Sequence, residues 1–250
     1  MKATFIQPHD DDAVISIGGT LLKLLEKGWD VSYIIMTDGR HGGNLEPDTI
    51  KDMRAKEAKN EREFLNILEF HNYNIEDGKM KDLAEHKIKT ITEDIAEKIK
   101  DSDVVFIPGK AEGHPDHRKT YEIGHNAIKL AQTPIEAHYI VWLFPLYYHN
   151  PGELENILKV NIDSQMNKKL QAIRLHNSQV EWGRYDRMAQ YVNSYFSLIY
   201  STYRHMDAKY SEIIGIQKKN SKYQAFLDSL EDAEDVTEIF HGRKDEKIKA

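Results

Sequence analysis

Short apolar runs alternate with longer segments of helical period along most of this chain, and no other feature limits the fold as strongly. Thr4–Ile6, Val31–Met36, Asp103–Ile107, Ala137–Phe144 and Asn156–Ile162 are the apolar runs. Between them, Ala13–Lys27 carries Val14, Ile17, Leu21, Leu24 and Leu25 at helical spacing and closes at Gly28. Thr49–Leu68, Lys87–Lys100, His114–Leu130 and Ser164–His176 also read as helices. Strands that are apolar throughout are strands covered on both faces. Their alternation with helices predicts βαβ units: an α/β fold with a Rossmann-like, mostly parallel sheet and helices on both faces. Past Gln179 the character changes. Trp182–Tyr203 is rich in aromatics, and from Ser229 the chain turns acidic and then mixed in charge. The expected organisation is a Rossmann-like domain over residues 1–180. A C-terminal helical, aromatic-rich extension over 181–250, with a charged tail, packs on that same domain. The Trp142–Tyr148 run (WLFPLYY) suits core, a subunit interface or a wall that stacks on a sugar, and core is the expectation.

Composition narrows the chemistry. With no cysteine among 250 residues, disulfides, a thiol nucleophile and cysteine-held zinc or iron–sulfur sites are excluded. Any metal must sit on histidine and carboxylate. A formal charge of −7 gives no reason to expect a nucleic-acid partner. No stretch reaches the roughly 20 apolar residues of a membrane helix. The start, MKATFIQPHD, has no apolar signal region. The expectation is a soluble cytoplasmic protein without a membrane partner.

Two clusters carry reactive side chains. Pro8-His9-Asp10-Asp11-Asp12 follows the first strand. Three adjacent carboxylates repel one another unless a cation lies among them; the plainer reading is an acidic turn that caps a helix. Gly113-His114-Pro115-Asp116-His117 follows the third strand. Pro115 and Asp116 mark a helix start, which puts His114 near the N-cap and lets His114 and His117 face one way. In a parallel sheet the loops after the strands gather at the carboxyl edge. The loops at 8–12, 37–47 and 109–117 therefore converge, although about 100 residues separate the clusters. Two imidazoles and a carboxylate leave open positions on a divalent metal, as catalytic sites do. No G-x-G-x-x-G follows the first strand, which speaks against a dinucleotide.

On a helix over Thr49–Leu68, Ile50, Arg54, Glu57, Ala58, Glu61, Leu65 and Leu68 share one face. Charges inside an apolar stripe need partners or a site. Either Arg54 pairs with a glutamate of its own helix, or it reaches a polar substrate at the sheet edge; the second is the expectation.

The chain resembles the LmbE/PIG-L-type zinc-dependent N-acetylglucosaminyl deacetylases. The resemblance rests on Pro8–Asp12, on His114–His117, on Arg54–Ala58 (Arg-x-x-Glu-Ala), and on Lys169 through His176 to Gln179. It implies one Zn2+ per chain on His9, Asp12 and His117, with Asp11 as general base. His114 would stabilise the oxyanion, Asp116 would orient His114, and Arg54 would bind substrate. The implied reaction is hydrolysis of an N-acetyl group from an N-acetylglucosamine-type amino sugar, by a monomer or homo-oligomer. Asp10 stands in place of the usual Pro and Ala13 in place of the usual Glu. Two other readings compete: a non-haem iron oxygenase using His9, Asp11 and a later His, and a metal-bound Rossmann-like binding protein without turnover.

Overall fold

The structure, a computed structural model, describes residues 1–110, 112–132, 134–140, 154–199 and 208–238. The first half is built from β1 (Lys2–Gln7), α1 (Asp12–Glu26), β2 (Asp30–Thr37), α2 (Pro47–Leu65), β3 (Glu69–Ile75), α3 (Glu85–Ile99), β4 (Val104–Pro108) and α4 (Pro115–Ala131). It continues through β5 (Ile135–Tyr139), β6 (Asn156–Asn161), α5 (Met166–Arg174), α6 (Asn177–Gly183), α7 (Tyr185–Ile199), β7 (Ser211–Lys218), α8 (Tyr223–Leu230) and β8 (Ala233–Asp235).

Among the described residues, one sheet takes all eight strands in the order β3-β2-β1-β4-β5-β7-β6-β8. The first five are parallel; β7 runs antiparallel between β5 and β6, and β8 antiparallel on β6. This is the expected α/β class with a mostly parallel sheet. The central strands are buried along nearly their whole length, as sheets covered on both faces require. One face packs Phe5, Tyr33 and Phe106 against Leu21, Leu24, Ile173 and Phe226. The other packs Ile6, Ile34 and Ile107 against Ile95, Ile99, Ile123 and Ile128.

Several boundaries differ from the sequence expectation. β3 had no apolar run to announce it: as an edge strand with sequence EFHNYNI it is half exposed, so little burial selects its side chains. β7 was not anticipated either, although it is buried through most of its length. The helix expected over Ser164–His176 is α5, and a second short helix that was not anticipated, α6, follows with His176 as its N-cap at ψ 59°. The strand expected at Ala137–Phe144 is described as β5 through Tyr139; Trp142–Tyr148 and the tail from 239 onward lie outside the described residues. Residues beyond 180 share the core of the earlier ones, since Tyr185, Ile214 and Phe226 pack in the same cluster as Phe5. Among the described residues, no helix is long and apolar enough to cross a membrane.

Candidate active site

The carboxyl ends of β1, β2, β3 and β4 meet, and the connections after them are tied to one another. Thr37 N–H donates to the Pro8 carbonyl at 2.9 Å, and Asp38 N–H to the Ile75 carbonyl at 2.9 Å. Gln7 Oε1 accepts from Ala13 N–H at 2.9 Å, which anchors the start of α1. His9 to Asp12 are thereby held in a tight turn, with His9 N–H donating to Asp12 Oδ2 at 2.8 Å.

Three donor atoms form a nearly equilateral triangle. His9 Nδ1 lies 3.2 Å from Asp12 Oδ2, His117 Nε2 lies 3.5 Å from the same oxygen, and the two ring nitrogens are 3.4 Å apart. A tetrahedral ion with ligands at about 2.0–2.1 Å requires donor–donor edges of about 3.3 Å, so this triangle fits one. Burial, aided by His9 and His114 against the opposing pull of Asp12, holds the His117 pKa down at about 3, so its imidazole is neutral and offers a lone pair. On His9 the carboxylates of Asp12 and Asp77 overcome burial and raise the pKa, so the pocket favours positive charge at that point. His9, Asp12 and His117 are one of two groups of possible metal donors among the described residues; the other is His9, His114 and Asp116. The oxygenase alternative needed Asp11 in the triad, but Asp11 faces Arg54 instead and Asp12 takes that place.

Arg54 crosses from α2 into this edge. Its Nη2 donates to Asp11 Oδ1 at 2.8 Å, and its guanidinium also grips Asp10. It is 3% exposed and its ionised form is strongly favoured, burial being outweighed by Asp10 and Asp11. Burial raises the Asp11 carboxyl, but Arg54, His176 and His9 outweigh it and hold the pKa low. Glycine makes this packing feasible. Gly39 has φ +64°, and a Cβ there would stand 2.6 Å from Arg54 Nε; a Cβ on Gly42 would stand 2.4 Å from Nη1. Side chains at these two positions would meet the guanidinium where it lies. The Arg54–Glu57 pair is not formed: Glu57 accepts from Ser178 N–H at 2.8 Å and from the Ser178 hydroxyl at 2.7 Å. Glu61 accepts from Tyr33 Oη at 3.0 Å.

The three histidines stand together, with ring centroids 5.1–5.3 Å apart. His114 caps α4 with its side chain: Nδ1 accepts from Asp116 N–H at 3.3 Å. In the neutral ring this acceptance assigns the proton to Nε2. Burial, reinforced by His9, lowers the His114 pKa and so keeps that neutral form. The expected orienting role of Asp116 needs correction in one respect. Its carboxylate does not hold His114 but accepts from Gly78 N–H at 2.6 Å and Met80 N–H at 3.3 Å. A helix first turn puts its backbone N–H, not its carboxylate, next to the N-cap side chain.

Asp77 was not anticipated. It accepts from His9 Nε2 at 3.0 Å and from His41 N–H at 3.1 Å. That contact turns His9 Nδ1 toward Asp12 and His117. The only trace in the sequence is the turn Glu76-Asp77-Gly78 after an unrecognised strand. A cavity of about 290 Å3 opens over these groups and is lined by His9, Asp11, Asp12, Asp77 and His114. Arg54, Gln179, Trp182, Tyr185 and Met188 also line it.

An α/β sheet whose carboxyl edge gathers two histidines and a carboxylate that could hold a metal ion, with Asp11 and His114 lining the same cavity, has the make-up of a metal-dependent hydrolase. Within that class, this chain belongs to the PIG-L family: the family model described as GlcNAc-PI de-N-acetylase matches residues 4–128. It is 30% identical over 194 residues, 71% of this chain and 70% of the relative, to the diacetylchitobiose deacetylase of Thermococcus kodakarensis. It is 27% identical to a probable N-acetyl-alpha-D-glucosaminyl L-malate deacetylase 2 of Bacillus cereus, over 70% of this chain and 81% of the relative. Among solved structures, the N,N'-diacetylchitobiose deacetylase of Pyrococcus horikoshii has the same fold, with a TM-score of 0.67 and 24% identity over 86% of this chain and 83% of that one. The protein is a hydrolytic enzyme of the deacetylase type.

Proposed function

We propose that this protein removes the acetyl group from an N-acetylglucosamine-type amino sugar, with zinc held by His9, Asp12 and His117. The observation that carries the reading is the donor triangle, with edges of 3.2, 3.4 and 3.5 Å, placed beside Asp11 and His114 in one cavity. Two imidazoles and one carboxylate without thiolate suit zinc among the common divalent ions. A bound zinc ion supplies Lewis acidity toward the amide carbonyl and makes a nearby water more acidic.

The side chains divide the remaining work. Asp11 has one carboxylate oxygen on Arg54, and the carboxylate takes the proton from the attacking water. The water oxygen forms a bond to the amide carbon. His114 donates from Nε2 to the carbonyl oxygen as negative charge develops there. The proton on Asp11 passes to the leaving nitrogen, the C–N bond breaks, and acetate and a free amine result. Asp77 keeps the His9 ring turned toward its ligand position through the 3.0 Å contact. Arg54 holds Asp11 in place and lines the cavity, so its grip on the base and its contact with substrate are two uses of one side chain. A metal protein without turnover would leave unused the placement of Asp11 and His114 on one cavity with the donor set.

The test is elemental analysis of the purified protein together with acetate release from a panel of N-acetylated sugars. About one zinc per chain, with acetate release lost on chelation and restored by zinc, is the expected result. A metal-free protein that added zinc does not activate, or a metal-loaded one that releases no acetate from any panel member, would overturn the proposal.

A further inference from the structure

Helix α1 consists of two helical pieces joined at Ile17, whose φ of −129° and ψ of 32° lie outside the helical range. Such a break takes backbone groups out of the helix bonding pattern, and buried ones must find other partners. An unbroken helix would bond Thr20 N–H to the Ser16 carbonyl. Here Thr20 N–H donates to Glu212 Oε2 at 2.7 Å and Gly19 N–H to Glu212 Oε1 at 2.8 Å. The Ser16 carbonyl accepts from Lys169 Nζ at 3.3 Å, and Lys169 Nζ donates to Glu212 Oε1 at 2.7 Å. One ion pair, Lys169 from α5 and Glu212 from β7, thus fills the gap in the helix.

The surroundings fit this pair. Both side chains are 0% exposed. Asn193 of α7 accepts from Lys169 Nζ at 2.8 Å and donates to the Ser211 carbonyl at 2.9 Å. A Cβ on Gly18 would stand 3.1 Å from Lys169 Cγ, and one on Gly19 would stand 2.5 Å from Ile162 and 3.0 Å from Glu212 Oε1. Side chains at these two positions would crowd the pair away from the backbone. A buried ion pair is a weak source of stability, because removing two charges from water offsets much of their attraction; its better use is to fix one arrangement against others. The arrangement fixed here is the break. The piece before it opens with Asp12 of the donor triangle, has Asp11 as its N-cap and carries Ile15 on the cavity.

Resting on the deacetylase reading above, we infer that Lys169 and Glu212 are positioning residues of the zinc site: they hold α1 in its broken form, and the direction of the short piece from Asp12 to Ser16 sets where Asp11 and Asp12 project. Neither residue is among those that line the cavity. They act through the backbone of α1 and touch no substrate.

The experiment compares the wild type with two variants of the full chain, well below their melting temperatures. Lys169→Met/Glu212→Gln removes both charges together, and Glu212→Gln keeps the shape and one acceptor oxygen. Ile99→Val, in the core on the opposite face of the sheet, is the control for lowered stability. Zinc affinity is measured by competition with a chelator. The absorption spectrum of the Co2+-loaded protein reports the donor arrangement without turnover. Expected for the double variant is zinc binding weaker by about tenfold or more and kcat lower by about tenfold at saturating zinc, as for other changes behind metal ligands. Its Co2+ spectrum should change and its KM should not. Glu212→Gln should shift the same readouts by less, and Ile99→Val should lower the melting temperature and shift none of them. Wild-type zinc affinity, spectrum and kcat in a folded double variant would overturn the inference, as would an equal loss in Ile99→Val. If the double variant does not fold, Glu212→Gln decides by the same criteria. A wild type that binds no zinc or releases no acetate would instead overturn the reading on which the inference rests.

Discussion

Glu61 should make the stability of this protein fall as pH rises, and the size of the effect follows from its surroundings. It lies on α2 at 1% exposure, with Oε1 accepting from Tyr33 Oη at 3.0 Å and Oε2 without a hydrogen-bond partner. Burial, with added repulsion from Asp10 and Asp11, pushes its pKa from 4.5 to about 8, against the opposing effects of Tyr33 and Arg62. At acid pH the residue is protonated in both folded and unfolded chains and has no effect on the difference between them. Between pH 4.5 and about 8 the unfolded chain loses the proton and the folded chain keeps it, so stability declines across that window and is constant above it. At about 1.4 kcal/mol for each pH unit, the full decline is roughly 5 kcal/mol. Glu61→Gln keeps an oxygen for Tyr33 and removes the titration. Urea unfolding of both proteins from pH 4 to 9 isolates the effect, because other titrating groups cancel in the difference. The wild type should match the variant most closely at the acid end and fall below it progressively as pH rises. A difference that stays flat, or that rises with pH, would refute this account of Glu61.

Three further substitutions test the site. Arg54→Ala leaves Asp10 and Asp11 without their buried cation; breaking such a pair costs about 3–5 kcal/mol, so both melting temperature and kcat should fall. A variant that melts normally and is impaired only in KM would show that Arg54 acts on substrate alone. Asp11→Asn should keep zinc and lose about 10²–10⁴ in kcat, whereas His117→Ala should lose the zinc itself. Loss of zinc from Asp11→Asn, measured by elemental analysis, would mean that the adjacent aspartates have exchanged roles.

The sequence by itself determined the class of fold and the family to which the chain belongs. Buried central strands must be apolar on both faces and helices must show a 3.6-residue period, so β1, β2, β4 and the helices beside them were legible before any coordinates. Reactive side chains crowded into two short motifs, His9–Asp12 and His114–His117, were legible for the same local reason. Tertiary structure alone decided the rest. β3 is a half-exposed edge strand, so nothing in its composition had to announce it, and with it Asp77 stayed hidden. The charged stripe on α2 was visible, but its partners were not. Arg54 goes to Asp10 and Asp11, Glu57 to Ser178, and Glu61 to Tyr33, on elements up to 121 residues away. The aromatic stretch after Gln179 was equally visible and had no readable use until the turn at Arg184 brought Trp182 and Tyr185 to the cavity. Periodicity reports which face of an element is buried, because that depends on local geometry. Which distant side chain meets that face depends on how the elements pack, and one sequence does not encode that locally.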